Sequence, residues 1–438
     1  MIRAHELGWT VSGAGRRRRH AMGTIAALLV AGGGLVTASA AAADAATLAV
    51  CARGCAYTQI QPAVDAASAG DTIAVGPGRY AGGIVIAKAL TLSGAGAGTT
   101  VIAGGGPVIS VSAGPVIIRD LGVTGGDTPA DGGGILNTGT LTVRDARIAG
   151  NTAGGDGGGI ANEGGSATAQ VSASTIRGNT AAFEGGGITN EFHARLTLTA
   201  DTASANSAGD AGGGIADFGF APATVSGTTV DGNTGGGIAV FEGGSLLMTN
   251  GEVDRNTNPG GSGGGIVVQG VYRHEQSTAT ITDTSINGNS ADTGGGVSMS
   301  LAPVTMTNDA VSGNSVSTAG GGIFNEGAGG LTLDDTSVTH NTSAGDGGGI
   351  SNLGAVAALT NDSVDANSAA AGGGGIFNGT GGNGLQVGPG TMTLDPDTSV
   401  SRNSAAFGGG IDVATGAVAV NGATVVGNIP DNCEPPAC

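Results

Sequence analysis

The chain has 438 residues, a formal net charge of −18, one Lys and only 3% aromatic residues, while 90 positions are Gly. So acidic a surface argues against nucleic acid, whose binding depends on Lys and Arg neutralising phosphate. So few large side chains exclude a conventional globular core and favour an architecture of small, repeated units.

Residues 1–43 read as a signal peptide. Arg16 to Arg19 form a basic start, Ala21 to Ala43 is apolar, and Ala41-Ala42-Ala43 offers a small-residue cleavage site. The apolar run is also long enough to serve as an uncleaved anchor. Cleavage removes five Arg and one Glu and takes the net charge to −22. The expectation is a secreted, extracellular protein with no membrane span after cleavage, and the Ala, Gly and Arg balance suggests a GC-rich bacterium.

The mature chain, 44–438, reads as a single domain. Cys51 and Cys55 open it, and Cys433 and Cys438 close it. Exported cysteines imply disulfides. About thirteen coils at ~4.8 Å put the ends roughly 60 Å apart, far beyond the ~7 Å a disulfide spans. The pairs expected are therefore Cys51–Cys55 and Cys433–Cys438.

Residues 57–125 form the cap and first coils. Ile60, Val64 and Ala67 share one face of a short helix. Strands are expected over Thr72–Val75, Ile84–Ile86 and Leu90–Leu92, with a turn at Gly76-Pro77-Gly78.

From 126 to 428 the chain repeats. Gly-Gly-Gly-(Ile/Val) ends at Ile135, Ile160, Ile188, Ile215, Ile238, Ile266, Val297, Ile323, Ile350, Ile376 and Ile411. A Val or Ile stands three residues before a recurring Asn, as at Ile148/Asn151, Val311/Asn314 and Val338/Asn341. An alternating run such as Leu141-Thr142-Val143 or Leu331-Thr332-Leu333 precedes it. Each unit thus holds three short strands separated by turn-forming residues. Three strands per turn of about 26 residues describe an all-β, right-handed parallel β-helix solenoid of about thirteen coils. Gly is expected to supply positive φ at the corners. Asn is expected to adopt the left-handed region and to hydrogen-bond from coil to coil. Residues 429–438 form a C-terminal tail.

Tyr57, Ile60, Ala63, Val64, Ala66, Ala67, Gly70-Asp71-Thr72-Ile73 and Gly78-Arg79-Tyr80 resemble the beginning of pectin-lyase-like right-handed β-helix proteins. The Gly-Gly-Gly-Ile-x-Asn units, as at Ile323-Phe324-Asn325, resemble the repeats of polymorphic outer-membrane-type bacterial surface proteins. That resemblance implies fold, and mixes polysaccharide-degrading enzymes with non-catalytic surface proteins. The Asp-Phe-Ile-Phe-Gly and Leu-Gly-Arg-Pro-Trp motifs of the esterases are missing, and of the polygalacturonase set only Asp334-Asp335 stands here. The expectation is a monomeric, non-catalytic surface or matrix-binding, adhesin-like protein whose partner is an extracellular polymer or a surface protein. A diverged polysaccharide lyase or hydrolase is the alternative.

Two clusters stand out from the repeats. Phe192, His193, Arg195, Phe218, Phe220, Phe241, Tyr272, Arg273 and His274 follow the Ile column at similar offsets on four consecutive coils. Equivalent turns stack ~4.8 Å apart, which would gather them into one ligand-binding patch. Asp131, Asp156, Glu184 and Asp210 stand close before the glycine corners of four coils. Stacked carboxylates repel, and Ca²⁺ would relieve this with oxygen ligands; solvated carboxylates splayed outward are the competing reading. No other cofactor is expected.

Overall fold

The computed structural model describes residues 45–434 apart from 271–275 and 382–387. Residues 1–43, expected to be a signal peptide, Cys438 and the patch residues Tyr272, Arg273 and His274 lie outside the described residues. Among the described residues no helix is long and apolar enough to cross a membrane.

Each repeat contributes one strand to each of three parallel sheets. In the coil that begins at Ile135 these are Ile135–Asn137, Thr140–Arg144 and Arg147–Ala149. We call the three sheets the glycine-corner, leading and middle sheets. The leading sheet stacks fifteen strands in succession, so the chain makes fourteen turns, one more than the repeat spacing suggests. The extra turn comes from Thr47–Val50, which pairs in parallel with Thr72–Val75. A short fourth strand, as at Thr152–Ala153, also stacks over part of the solenoid. Sequence pattern did not reveal it, because two residues are too few to show a period.

Alternation decides what faces inward. Strand Leu331-Thr332-Leu333 buries both leucines and exposes the threonine. The Ile column after the glycines is buried throughout, each member at most 1% exposed. Each such side chain contributes roughly 1.5–3 kcal/mol by leaving water. The expected helix forms as Ile60–Ala66, and Ile60, Ala63 and Val64 are buried against the first coils. Cys51 and Cys55 are disulfide-bonded to each other beside it. Cys433 is also disulfide-bonded.

The Asn column is a continuous ladder. From Asn151 through Asn179, Asn206, Asn233 and Asn256 to Asn289, each Nδ2 donates to the Oδ1 of the next. The same bond continues through Asn314, Asn341, Asn367, Asn403 and Asn428. The left-handed residue is not the Asn itself but the one before it, as at His340, Ala366 and Arg402. This corrects the backbone role expected of Asn: its side chain satisfies buried backbone groups that a bend one residue upstream leaves open.

The corner glycines divide their work in a way that composition hides. The first of each triplet carries the positive φ, +65° at Gly347. The second and third sit under the next coil. A Cβ on Gly348 would lie 2.5 Å from Gly374 O, and one on Gly349 2.6 Å from Gly375 O.

Candidate functional site

The tight Asp-Gly-Gly-Gly corner lays each loop over the outer face of the strand that follows. A Cβ on Gly157 would meet Thr189 Oγ1 at 2.7 Å, and one on Gly185 would meet Thr189 Cγ2 at 2.3 Å. The outward residues Ala161, Thr189, Ala216 and Ala239 are therefore fully buried although they point away from the core. They form the floor of a shallow face with two edges.

Asp131, Asp156 and Glu184 make the first edge. Asp131 Oδ1 accepts the Asp156 N–H at 2.8 Å, and Asp156 Oδ1 accepts the Glu184 N–H at 2.8 Å. Of the sequence-predicted column these three residues thus form a run, in which the Asp131 and Asp156 carboxylates act as acceptors for the next coil's backbone, while Asp210 donates its N–H to Phe183 O. The Asp156 and Glu184 carboxyls are also close enough to hydrogen-bond to each other when one is protonated. Burial, with that bond and the nearby charges of Asp156, Asp210 and Glu242, pushes Glu184 up to about 8. Asp156 is also raised, chiefly by burial. Among the described residues, no group of three or more His, Cys, Asp or Glu is placed to hold a metal ion.

The second edge was not anticipated. Glu163 and Glu191 stand at the ends of Ile160–Glu163 and Ile188–Glu191, in register on adjacent coils, and Phe218 follows on the next. Glu191 is 3% exposed, and its Oε1 has no hydrogen-bond partner. Burial first, then the charges of Asp156, Glu163, Asp131 and Glu184, push Glu191 up to about 9. Glu163 is raised by burial and by Asp131 and Asp156. The signal that could have found this edge was the Ile-x-Asn-Glu offset shared by the two coils.

The aromatic patch assembles beside these acids. Phe192 and Phe218 meet edge to face with ring centroids 6.2 Å apart. His193 stacks on Phe220 at 5.3 Å. The turns themselves are joined, since His193 N–H donates to Gly219 O and Phe220 N–H to Glu242 O. Phe241 and Phe218 pack on the buried Ala216, Ala239 and Val267. Phe192 and Phe220 are 55% and 44% exposed. Phe183, beside Glu184 and also about half exposed, was not expected there. Arg195 opens strand Arg195–Thr199 and is exposed. Among the described residues neither it nor any other cation forms an ion pair with the five carboxylates.

The arrangement therefore offers apolar ring faces next to Glu184 and Glu191, whose carboxyls, pushed up to about 8 and about 9, favour the protonated form at neutral pH. Such carboxyls both donate and accept hydrogen bonds. Stability should report the trapped proton. Below pH 4.5, Glu191 is protonated in both folded and unfolded chains, and its contribution is fully present. Between 4.5 and about 9 the unfolded chain releases the proton while the folded chain keeps it. Stability thus falls as pH rises through that window. Glu191→Gln, which cannot ionise, is expected to flatten the fall of the melting temperature between pH 5 and 9. An unchanged slope would refute a trapped proton at Glu191.

Residues 202–343 match the family described as right handed beta helix region. With the sheet topology above, the fold is a right-handed parallel β-helix. The chain is similar to the A-module of mannuronan C-5 epimerase AlgE4 from Azotobacter vinelandii, at 14% identity over 84% of this chain and 93% of that one, with a TM-score of 0.38. It is similar to the catalytic unit of a thermostable GH87 alpha-1,3-glucanase from Streptomyces thermodiastaticus, at 16% identity over 83% and 65%, with a TM-score of 0.45. Pectate lyase Pel9A is 12% identical over 90% of this chain and 81% of that one, with a TM-score of 0.26. No curated protein matches the sequence at a significant level. Likeness at this level assigns no activity, so function is argued from the site.

Proposed function

We propose that this is an exported, non-catalytic β-helix that binds an extended neutral glycan along the glycine-corner face. One observation carries the reading: aromatic rings stacked from coil to coil lie beside carboxyls that hold their protons. Ring faces suit the apolar side of a sugar, and protonated carboxyls suit its hydroxyls. A ladder of equivalent turns suits a polymer lying along the solenoid. The Cys51–Cys55 disulfide supports an oxidising compartment.

Calorimetry against soluble α- and β-glucans, xylan and chitin oligomers tests the proposal. Binding to at least one is expected, with a loss of tenfold or more when Phe192, Phe218 and Phe220 are replaced together by Ala. Their rings lie outside the main core, so the fold should persist. Failure to bind any of these, or unchanged binding by the triple variant, would overturn the reading. The raised carboxyls favour a second reading, a glycoside hydrolase, since such enzymes need a carboxylic acid that keeps its proton. Release of reducing ends in the same mixtures, abolished by Glu191→Gln or Glu184→Gln, would replace the binding proposal with that one.

A further inference from the structure

We propose a second binding site, on the outer face of the middle sheet, for a glycan whose acidic groups are sparse. It is independent of the glycine-corner face and rests on different residues.

A shallow cavity of about 470 Å³ is lined there by Arg79, Val101, Gly122, Thr124, Arg147 and Arg177, among others. The strand register explains its shape. Arg79 pairs with Val101, Val101 with Gly122, and Gly122 with Arg147. Arg79 and Arg147 thus stand three rungs apart, about 14 Å along the solenoid, with small side chains between them as a floor. Arg177 pairs with Ala149 on the following rung, two positions along from Arg147. Two guanidinium groups close one end of the cavity and a third closes the other.

Their common cavity singles these arginines out, since Arg53, Arg144 and Arg195 also form no ion pair among the described residues. Arg119, Arg255 and Arg402 each meet a carboxylate at 3.0 Å or less. Among the described residues, Arg79, Arg147 and Arg177 form no ion pair, and all three are exposed. In a chain of net charge −18 with one Lys, three unpaired cations around one cavity are not surplus positive charge. A guanidinium fork matches a carboxylate or sulfate with two parallel hydrogen bonds.

The rest of the molecule selects the kind of anion. No aromatic ring lines the cavity, so bases find no stacking platform. A polymer charged at every unit would meet the acidic surface beyond the cavity, within the ~10 Å over which charges act at ordinary salt. Anionic groups spaced to reach both ends of the cavity, with neutral units between, avoid that repulsion.

The experiment measures binding of the full chain to hyaluronan, polygalacturonate, keratan sulfate sulfated only on its hexosamine and single-stranded DNA at low and physiological salt. The expected result is salt-sensitive binding to hyaluronan or keratan sulfate, the first carrying only carboxylates and the second only sulfates, so that the pair separates carboxylate from sulfate recognition. Polygalacturonate and DNA are expected to bind at least tenfold more weakly. Arg147→Gln with Arg177→Gln should weaken hyaluronan or keratan sulfate binding tenfold or more at an unchanged melting temperature. Phe218→Ala, on the other face, should leave it unchanged. Equal or tighter binding of polygalacturonate or DNA would overturn the proposal. So would no binding to either sparse polymer, or unchanged binding by the double Arg variant.

Discussion

Gly348→Val is expected to lower the unfolding midpoint far more than a glycine substitution at an open position on the surface. The reason is contact with the next coil, since the positive φ belongs to Gly347. A Cβ at 348 would stand 2.5 Å from Gly374 O and from both the C and O of Ser368. All three are backbone atoms of the adjoining coil and cannot rotate away. Overpacking a core costs about 1–3 kcal/mol where side chains can yield; here the coils themselves must part, so a loss of at least about 3 kcal/mol follows. Because a solenoid is stabilised by nearest-neighbour interfaces, the two adjoining coils should loosen with it. Gly330→Ala is the control: nothing lies within 4 Å of its added Cβ, and its effect should stay within about 0.5 kcal/mol. Equal urea midpoints for the two variants would show that the corners do not need close approach.

Asn314→Leu should be comparably damaging, for a polar reason. Asn314 is fully buried near the middle of the ladder. Its Nδ2 donates to Ile286 O at 3.0 Å and to Asn341 Oδ1 at 2.9 Å. Its Oδ1 accepts both the backbone N–H and the Nδ2 of Asn289. Leu has a similar volume and makes none of these bonds. The Asn289 backbone N–H and the Ile286 carbonyl lose these partners without access to water, and each such orphan costs about 1–3 kcal/mol. The predicted loss is about 3 kcal/mol or more. Asn428→Leu should cost less, because Asn428 is 7% exposed and its Nδ2 donates onward to the exposed Asn432. Hydrogen exchange should show the coils on both sides of position 314 opening first. Equal losses at 314 and 428 would mean that the ladder does not act through buried partners.

Much of this molecule is legible without coordinates, because a solenoid converts sequence offset directly into position. The Ile, Asn and glycine columns recur at fixed offsets, so their stacking follows from the repeat alone. The same logic places Phe192, His193, Phe218, Phe220 and Phe241 on one edge, and the rings do meet there. The local Cys51–Cys55 bridge was likewise readable, from the separation of the two ends of the solenoid.

What the tertiary structure alone decided lies across the coil rather than along it. Asp156 and Glu184 face Glu163 and Glu191 only because the glycine corner folds back over the outer face of the strand that follows it. The retained protons depend on how far that fold-back removes the carboxyls from water, which no residue pattern encodes. Arg79 and Arg147 share one register position three rungs apart, Arg177 stands two residues along on the next rung, and the fold gathers them around one cavity. A repeat specifies which residues stack. The path of the backbone between its strands specifies which columns face each other, and that path is a three-dimensional property of the glycines.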